Sequence, residues 1–231
     1  MKIQNLLILA ATSALSASAS AATVQIAGWS MSTAVAAATT GTNYNYGAAD
    51  SGVLTSGTSL SGNHTTVATT WSSPAGNGST YSFSSNNWST GDYYQVSVAT
   101  IGYSDISVSW DQTRSSTGPS SFSLTMSTDG GANFTTLLAS YSVVQAGLAG
   151  SGTTGWSATT NQAGFTNTVD LGISAANQGN ILLRFNSLAT TAVAGTNRID
   201  NISVTSAVVP EPSAALLGAL SALGLLRRRR N

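Results

Sequence analysis

The sequence predicts an all-β protein: a two-sheet antiparallel β-sandwich of jelly-roll type, flanked by an N-terminal signal helix and a C-terminal hydrophobic helix. Three observations point there. Apolar residues recur at every second position in short runs, Gly and Asn cluster between those runs, and no stretch between the two ends carries helical periodicity. Only 7% of the residues are charged and 42% are hydrophobic, with Ser and Thr frequent. Such a composition suits strands that bury one face and present hydroxyls on the other.

In chain order, Thr23 to Trp29 and Thr65 to Trp71 read as early strands. The stretch Gly41 to Gly62 reads as a long loop, and so does Gly147 to Gly155. Clear alternation then runs through Tyr94–Val98, Ile106–Asp111 and Phe122–Ser127, followed by Phe165–Leu171 and Ile181–Phe185. Trp110 lies in phase with the apolar positions of its run and is expected in the core. Turns are marked by Asn77-Gly78 and Asp129-Gly130-Gly131. In the last run, Ile199 and Ile202 are three apart while Ile202 and Val204 alternate, so a bulge is expected near Asp200. About nine strands without βαβ alternation favour two packed sheets.

The two ends have a different character. Lys2, the apolar run Leu6–Ala11 and the small residues Ala19-Ser20-Ala21 mark residues 1–21 as a signal peptide, cleaved after Ala21 or alternatively Ala22. The body would then occupy residues 22–206 and the tail residues 207–231. That tail reads Pro210-Glu211-Pro212, then an uncharged stretch to Leu226, then Arg227, Arg228, Arg229 and Arg230. A helix over about 213–226 is short for a bilayer core of roughly 30 Å, but snorkelling arginines extend its reach. The arginine cluster should stay on the cytoplasmic side, which makes the segment a membrane anchor for an exported body.

The tail resembles the PEP-CTERM sorting signal: a Pro-Glu-Pro motif, a short apolar helix and a terminal basic cluster, in fixed order. The resemblance implies a Gram-negative bacterium that makes exopolysaccharide. It further implies transient anchoring, recognition of Pro210, Glu211 and Pro212 by the membrane enzyme exosortase, and release to the cell surface or exterior. Signal peptidase and exosortase are thus the expected partners in export. The stretch Ser127–Phe134 resembles an Asp-box hairpin, in which the aspartate accepts N–H groups of its own turn. Together with Asn197–Val204 it also resembles the β-sandwich domains of PEP-CTERM proteins.

The chemistry of the body is sparse. Between Ala22 and Val209 there are three arginines and seven aspartates, a net charge of −4, with no Lys and no Glu. A body without a basic patch is not a nucleic-acid binder. No Cys and one His exclude thiolate zinc sites. His64, in a turn-like stretch, is expected to be a solvated side chain, and no Gly-x-Ser-x-Gly motif accompanies it. No catalytic residue is therefore assigned, and the chain is expected not to be an enzyme.

Two readings of function remain. One is an exported surface or matrix protein associated with exopolysaccharide in biofilm, with no cofactor. The other is a calcium-assisted carbohydrate-binding module. For the second, Trp88 is the candidate glycan-binding aromatic, and Asp200 with Asn201 is the candidate metal site, since calcium takes six to eight oxygens. A plainer role for Asp200 is an ion pair with Arg198 or Arg184.

Overall fold

The computed structural model describes residues 23–37, 39–147 and 155–207. The expected signal peptide with Ala21 and Ala22, residues 148–154 of the expected loop Gly147 to Gly155, and the expected sorting tail with Pro210, Glu211, Pro212 and Arg227 to Arg230 lie outside the described residues. Among the described residues no helix is long and apolar enough to cross a membrane.

Among the described residues thirteen strands form: β1 (Thr23–Trp29), β2 (Thr39–Thr40), β3 (Asn43–Gly47), β4 (Ser59–Asn63), β5 (Thr70–Ser72), β6 (Phe83–Ser85), β7 (Tyr93–Val98), β8 (Ile106–Arg114), β9 (Ser121–Ser127), β10 (Thr135–Ser142), β11 (Thr166–Asp170), β12 (Ile181–Ser187) and β13 (Asn197–Ala207). Helical turns among the described residues are two short 3-10 pieces, Ala163–Phe165 and Ile173–Ala175. One sheet has the order β11-β8-β13-β6-β5-β2, with β1 also on β13; the other runs β10-β9-β12-β7-β4-β3. Every strand pairing is antiparallel. The blocks β11-β8-β13-β6 and β10-β9-β12-β7 reproduce the winding of a jelly roll.

Alternation decides which face is buried. On β7, Tyr94, Val96 and Val98 are buried and Tyr93, Gln95 and Ser97 are half-buried on the outside. On β12, Ile181, Leu183 and Phe185 point in, while Leu182, Arg184 and Asn186 point out. Trp110, Phe122, Leu124, Phe185 and Val108 meet between the sheets, with the Trp110 and Phe185 rings 4.9 Å apart. A second aromatic chain runs through Trp71, Phe83 and Tyr94, at 5.3 Å per step. Each such side chain removed from water contributes roughly 1.5–3 kcal/mol.

The structure corrects the expectations at three places. Residues Gly41 to Gly62 are not one long loop, because β3 and most of β4 lie within them. The expected strand Thr65 to Trp71 forms only at its end; Thr66 turns the chain by accepting from the backbone N–H and the hydroxyl of Thr69. β6 and β10 carry no clear alternation and were not expected. The bulge does fall between Asp200 and Ser203, where Asn201 takes a φ of 47°.

Candidate functional site

The outer face of the six-stranded sheet gathers polar side chains in register. One row runs Asn45, Ser61, Gln95, Arg184, Thr125 and Thr136; the next runs Asn43, Asn63, Tyr93, Asn186 and Ser123. None of these residues is acidic. At the centre, the Arg184 guanidinium carbon lies 4.3 Å from the Tyr93 ring centroid and 4.1 Å from that of Phe134. Its Nε–H donates to Gln95 Oε1 at 2.8 Å. Asn186 Nδ2 donates to Thr125 Oγ1 at 3.2 Å. The rings and Gln95 therefore fix the plane of the guanidinium, and cation–π attraction adds to the hold.

Phe134 reaches this place from the β9–β10 hairpin. Asp129 accepts from the Asn133 backbone N–H at 3.0 Å and from Asn133 Nδ2 at 2.8 Å, and the Ser127 hydroxyl donates to it at 2.7 Å. These donors hold its carboxyl well below the usual carboxylate range. The expected Asp-box-like hairpin is thus formed, and it delivers an aromatic ring to the sheet face.

A second polar group is sealed inside. His64 Nδ1 is 3.2 Å from Asp92 Oδ2, and His64 Nε2 is 3.1 Å from Ser85 Oγ. With Nδ1–H donating to Asp92, Nε2 accepts from the serine hydroxyl, which gives the connectivity of a Ser-His-Asp triad. Yet His64 is 2% exposed and Asp92 and Ser85 are each 1% exposed. The Trp88 and Trp71 rings close over the imidazole at centroid distances of 4.3 and 4.9 Å. Ser85 cannot meet a substrate carbonyl in this arrangement. Burial raises the Asp92 carboxyl, but hydrogen bonds from His64 and from the Ser89 and Thr65 N–H groups more than offset that and lower it. His64 is therefore a core histidine and not the solvated side chain expected from its neighbours in sequence.

The third group lies on the outer face of the seven-stranded sheet. Asp111 and Asp200 stand opposite each other in register, both buried. Asp200 Oδ2 accepts from the Asn77 N–H and the Ser79 hydroxyl at 2.6 Å each, and Oδ1 accepts from the Asn201 N–H at 2.9 Å. Asp111 Oδ2 accepts from the side-chain amides of Asn77, Asn161 and Asn201 at 2.8–2.9 Å, and Oδ1 from the Thr166 hydroxyl at 2.5 Å. Burial pushes the Asp200 carboxyl up to about 7, and the Asp111 charge adds to the rise.

These contacts correct the ion-pair reading of Asp200 and bear on the calcium one. Among the described residues it has no ion pair with Arg198, and Arg184 stands on the other sheet. Calcium also fits poorly here. The carboxylate oxygens are taken up by N–H and O–H donors, the three asparagines turn nitrogen to Asp111, and among the described residues no third acidic or histidine ligand joins them.

No family model matches this chain, and no curated protein matches it. Among solved structures, the K1 cleaved adhesin domain of Lys-gingipain from Porphyromonas gingivalis is 14% identical, covering 79% of this chain and 97% of its own at a TM-score of 0.42. A family 11 carbohydrate-binding module from Clostridium thermocellum, in complex with a β-1,3-1,4-mixed-linked tetrasaccharide, is 10% identical; the match covers 80% of this chain and 99% of that one at 0.37. The N-terminal cellulose-binding domain of Cellulomonas fimi β-1,4-glucanase C is 14% identical over 73% and 90% of the two chains, at 0.31.

Trp88 does not offer its ring to a ligand. It is 1% exposed, donates its indole N–H to Ser85 O at 3.0 Å and packs on Tyr94 and Phe122. Trp29, Trp71 and Trp110 are likewise core. Sequence reasoning missed Tyr93, Arg184 and Phe134 as a group. Their signal was present as outward phase on β7 and β12 plus the Asp-box aromatic, but only the strand order brings them together.

Proposed function

We propose that this chain is an exported, non-enzymatic β-sandwich protein that binds extracellular polysaccharide through the outer face of its six-stranded sheet. Delivery would follow the ends of the sequence: a signal peptide for export, then a PEP-CTERM-like tail for transient anchoring and exosortase processing, leaving the protein in the exopolysaccharide or biofilm matrix. The observation that carries the binding reading is the Tyr93–Arg184–Phe134 cluster at the centre of a face whose described residues, paired in register, are amide- and hydroxyl-rich with no carboxylate among them. Sugars present C–H surfaces to aromatic rings and hydroxyls to fixed donors and acceptors, and both kinds of partner are aligned here. The calcium-assisted version is not adopted, because the Asp111–Asp200 group lies on the other sheet with its oxygens engaged.

The test is glycan-array binding by the purified full-length chain, followed by calorimetry on the hits. Binding that falls at least about tenfold in Tyr93→Ala, as loss of a central aromatic contact would cost over about 1.4 kcal/mol, is the expected result. Unchanged binding in that variant, or no glycan bound at all, defeats the reading.

A further inference from the structure

The polysaccharide-binding face has one formal charge, and its setting indicates what it is for. The three arginines of the described residues are placed differently. Arg114 spends its guanidinium on the carbonyls of Val143, Ser115 and Ser116. Arg198 is partly buried beside Tyr94, and desolvation lowers its pKa. Arg184 sits on the outer face against two rings, and among the described residues its one hydrogen bond runs from Nε–H to Gln95. Its two terminal amino groups form a fork whose orientation is already fixed.

No carboxylate among the described residues comes within ion-pair distance of that fork. Asp92, next to Tyr93 in sequence, is turned under the sheet toward His64. Asp129, in the hairpin that carries Phe134, is held by its own turn. A half-buried guanidinium left without a counter-ion gains little from a neutral hydroxyl. A carboxylate instead pairs with both amino groups at once, in the planar geometry that Arg favours. The net charge of −4 on the body opposes any anion, but at physiological ionic strength charges more than about 8 Å away are largely screened.

We propose that Arg184 is the specificity-determining residue of this face, and that it selects acidic glycans, whose uronate or pyruvate-ketal carboxylates it would grip bidentately. The proposal rests on the polysaccharide-binding reading above. Tyr93 and Phe134 position the guanidinium and pack against the sugar ring, while Gln95 sets its rotation.

Calorimetry on the full-length chain tests it with polygalacturonate and alginate, the same polymers after carboxyl reduction, a neutral mixed-linked β-glucan, and polyglutamate. The acidic polymers should bind at least about tenfold more tightly than their reduced forms, since carboxyl reduction removes the charge-assisted, bidentate pair. Arg184→Gln should erase that preference, and Arg184→Lys should lose most of it because an ammonium has no fork. Gln95→Ala, which leaves the charge in place, should weaken acidic polymers selectively. Equal binding of acidic and reduced polymers would overturn the acid selectivity while sparing the polysaccharide reading. Failure of every glycan would sink both. Equal binding of polyglutamate would reduce the effect to charge attraction and overturn the proposal as well.

Discussion

Asp111 and Asp200 face each other across β8 and β13, a placement that like charges normally avoid. The fold tolerates it by surrounding both with donors and by keeping Asp200 protonated well above its ordinary value of 3.8, up to about 7. A carboxyl whose folded pKa is raised contributes its full stability only when it is protonated in both states. Its contribution is therefore complete below pH 3.8 and is lost as pH rises toward about 7. A rise of that size corresponds to about 4 kcal/mol at most, so unfolding free energy from urea melts should fall measurably between pH 5 and pH 8. Asp200→Asn cannot ionise, and the slope over that interval should flatten whatever the variant's absolute stability. An unchanged slope would show that Asp200 is already ionised at pH 5.

The elements were legible where apolar residues alternate, as in β7, β8, β9 and β12, and illegible where the inward positions are small. β4 reads Ser59-Leu60-Ser61-Gly62-Asn63, with a single large apolar residue, and so looks like a loop. Its strand character comes from pairing with β3 and β7 on either side. Gly62 faces inward and leaves room for Trp71 of β5, whose ring would lie 2.3 Å from an added Cβ. Sequence alone cannot show that a glycine is a socket for a tryptophan 9 positions further on, across the sandwich. The same blindness misplaced Trp88 and His64, whose Ser- and Asn-rich neighbours suggest an exposed loop although both side chains are core. Gly62→Ala should therefore destabilise by roughly 1–3 kcal/mol or more, because Trp71 is stacked on Phe83 and cannot retreat freely. Chemical denaturation with Trp fluorescence would read it, and a cost near zero would mean that the Trp71 socket is looser than the geometry indicates.

At the scale of the whole chain, the body and the two ends obey different physics, and the ends were read from sequence patterns alone. The body is almost devoid of positive charge, whereas four arginines close the chain directly after an uncharged stretch. On the sorting route proposed above, the arginines would resist translocation and hold the exported body tethered until the tail is cut. If Pro210-Glu211-Pro212 is the recognised flank, Glu211→Ala leaves the anchor and its charges intact but removes the cue for processing. In the native cell, an epitope-tagged wild-type body should accumulate in the medium or matrix, while the variant should stay in the membrane fraction at full length. Equal release of both would mean that the acidic residue is not read, and the proposed route to the exterior would fail even with the polysaccharide-binding face intact. The two halves of the function are thus separable: Arg184→Gln should be released normally yet fail to stay with an acidic matrix, whereas Glu211→Ala should keep its binding face and never reach that matrix.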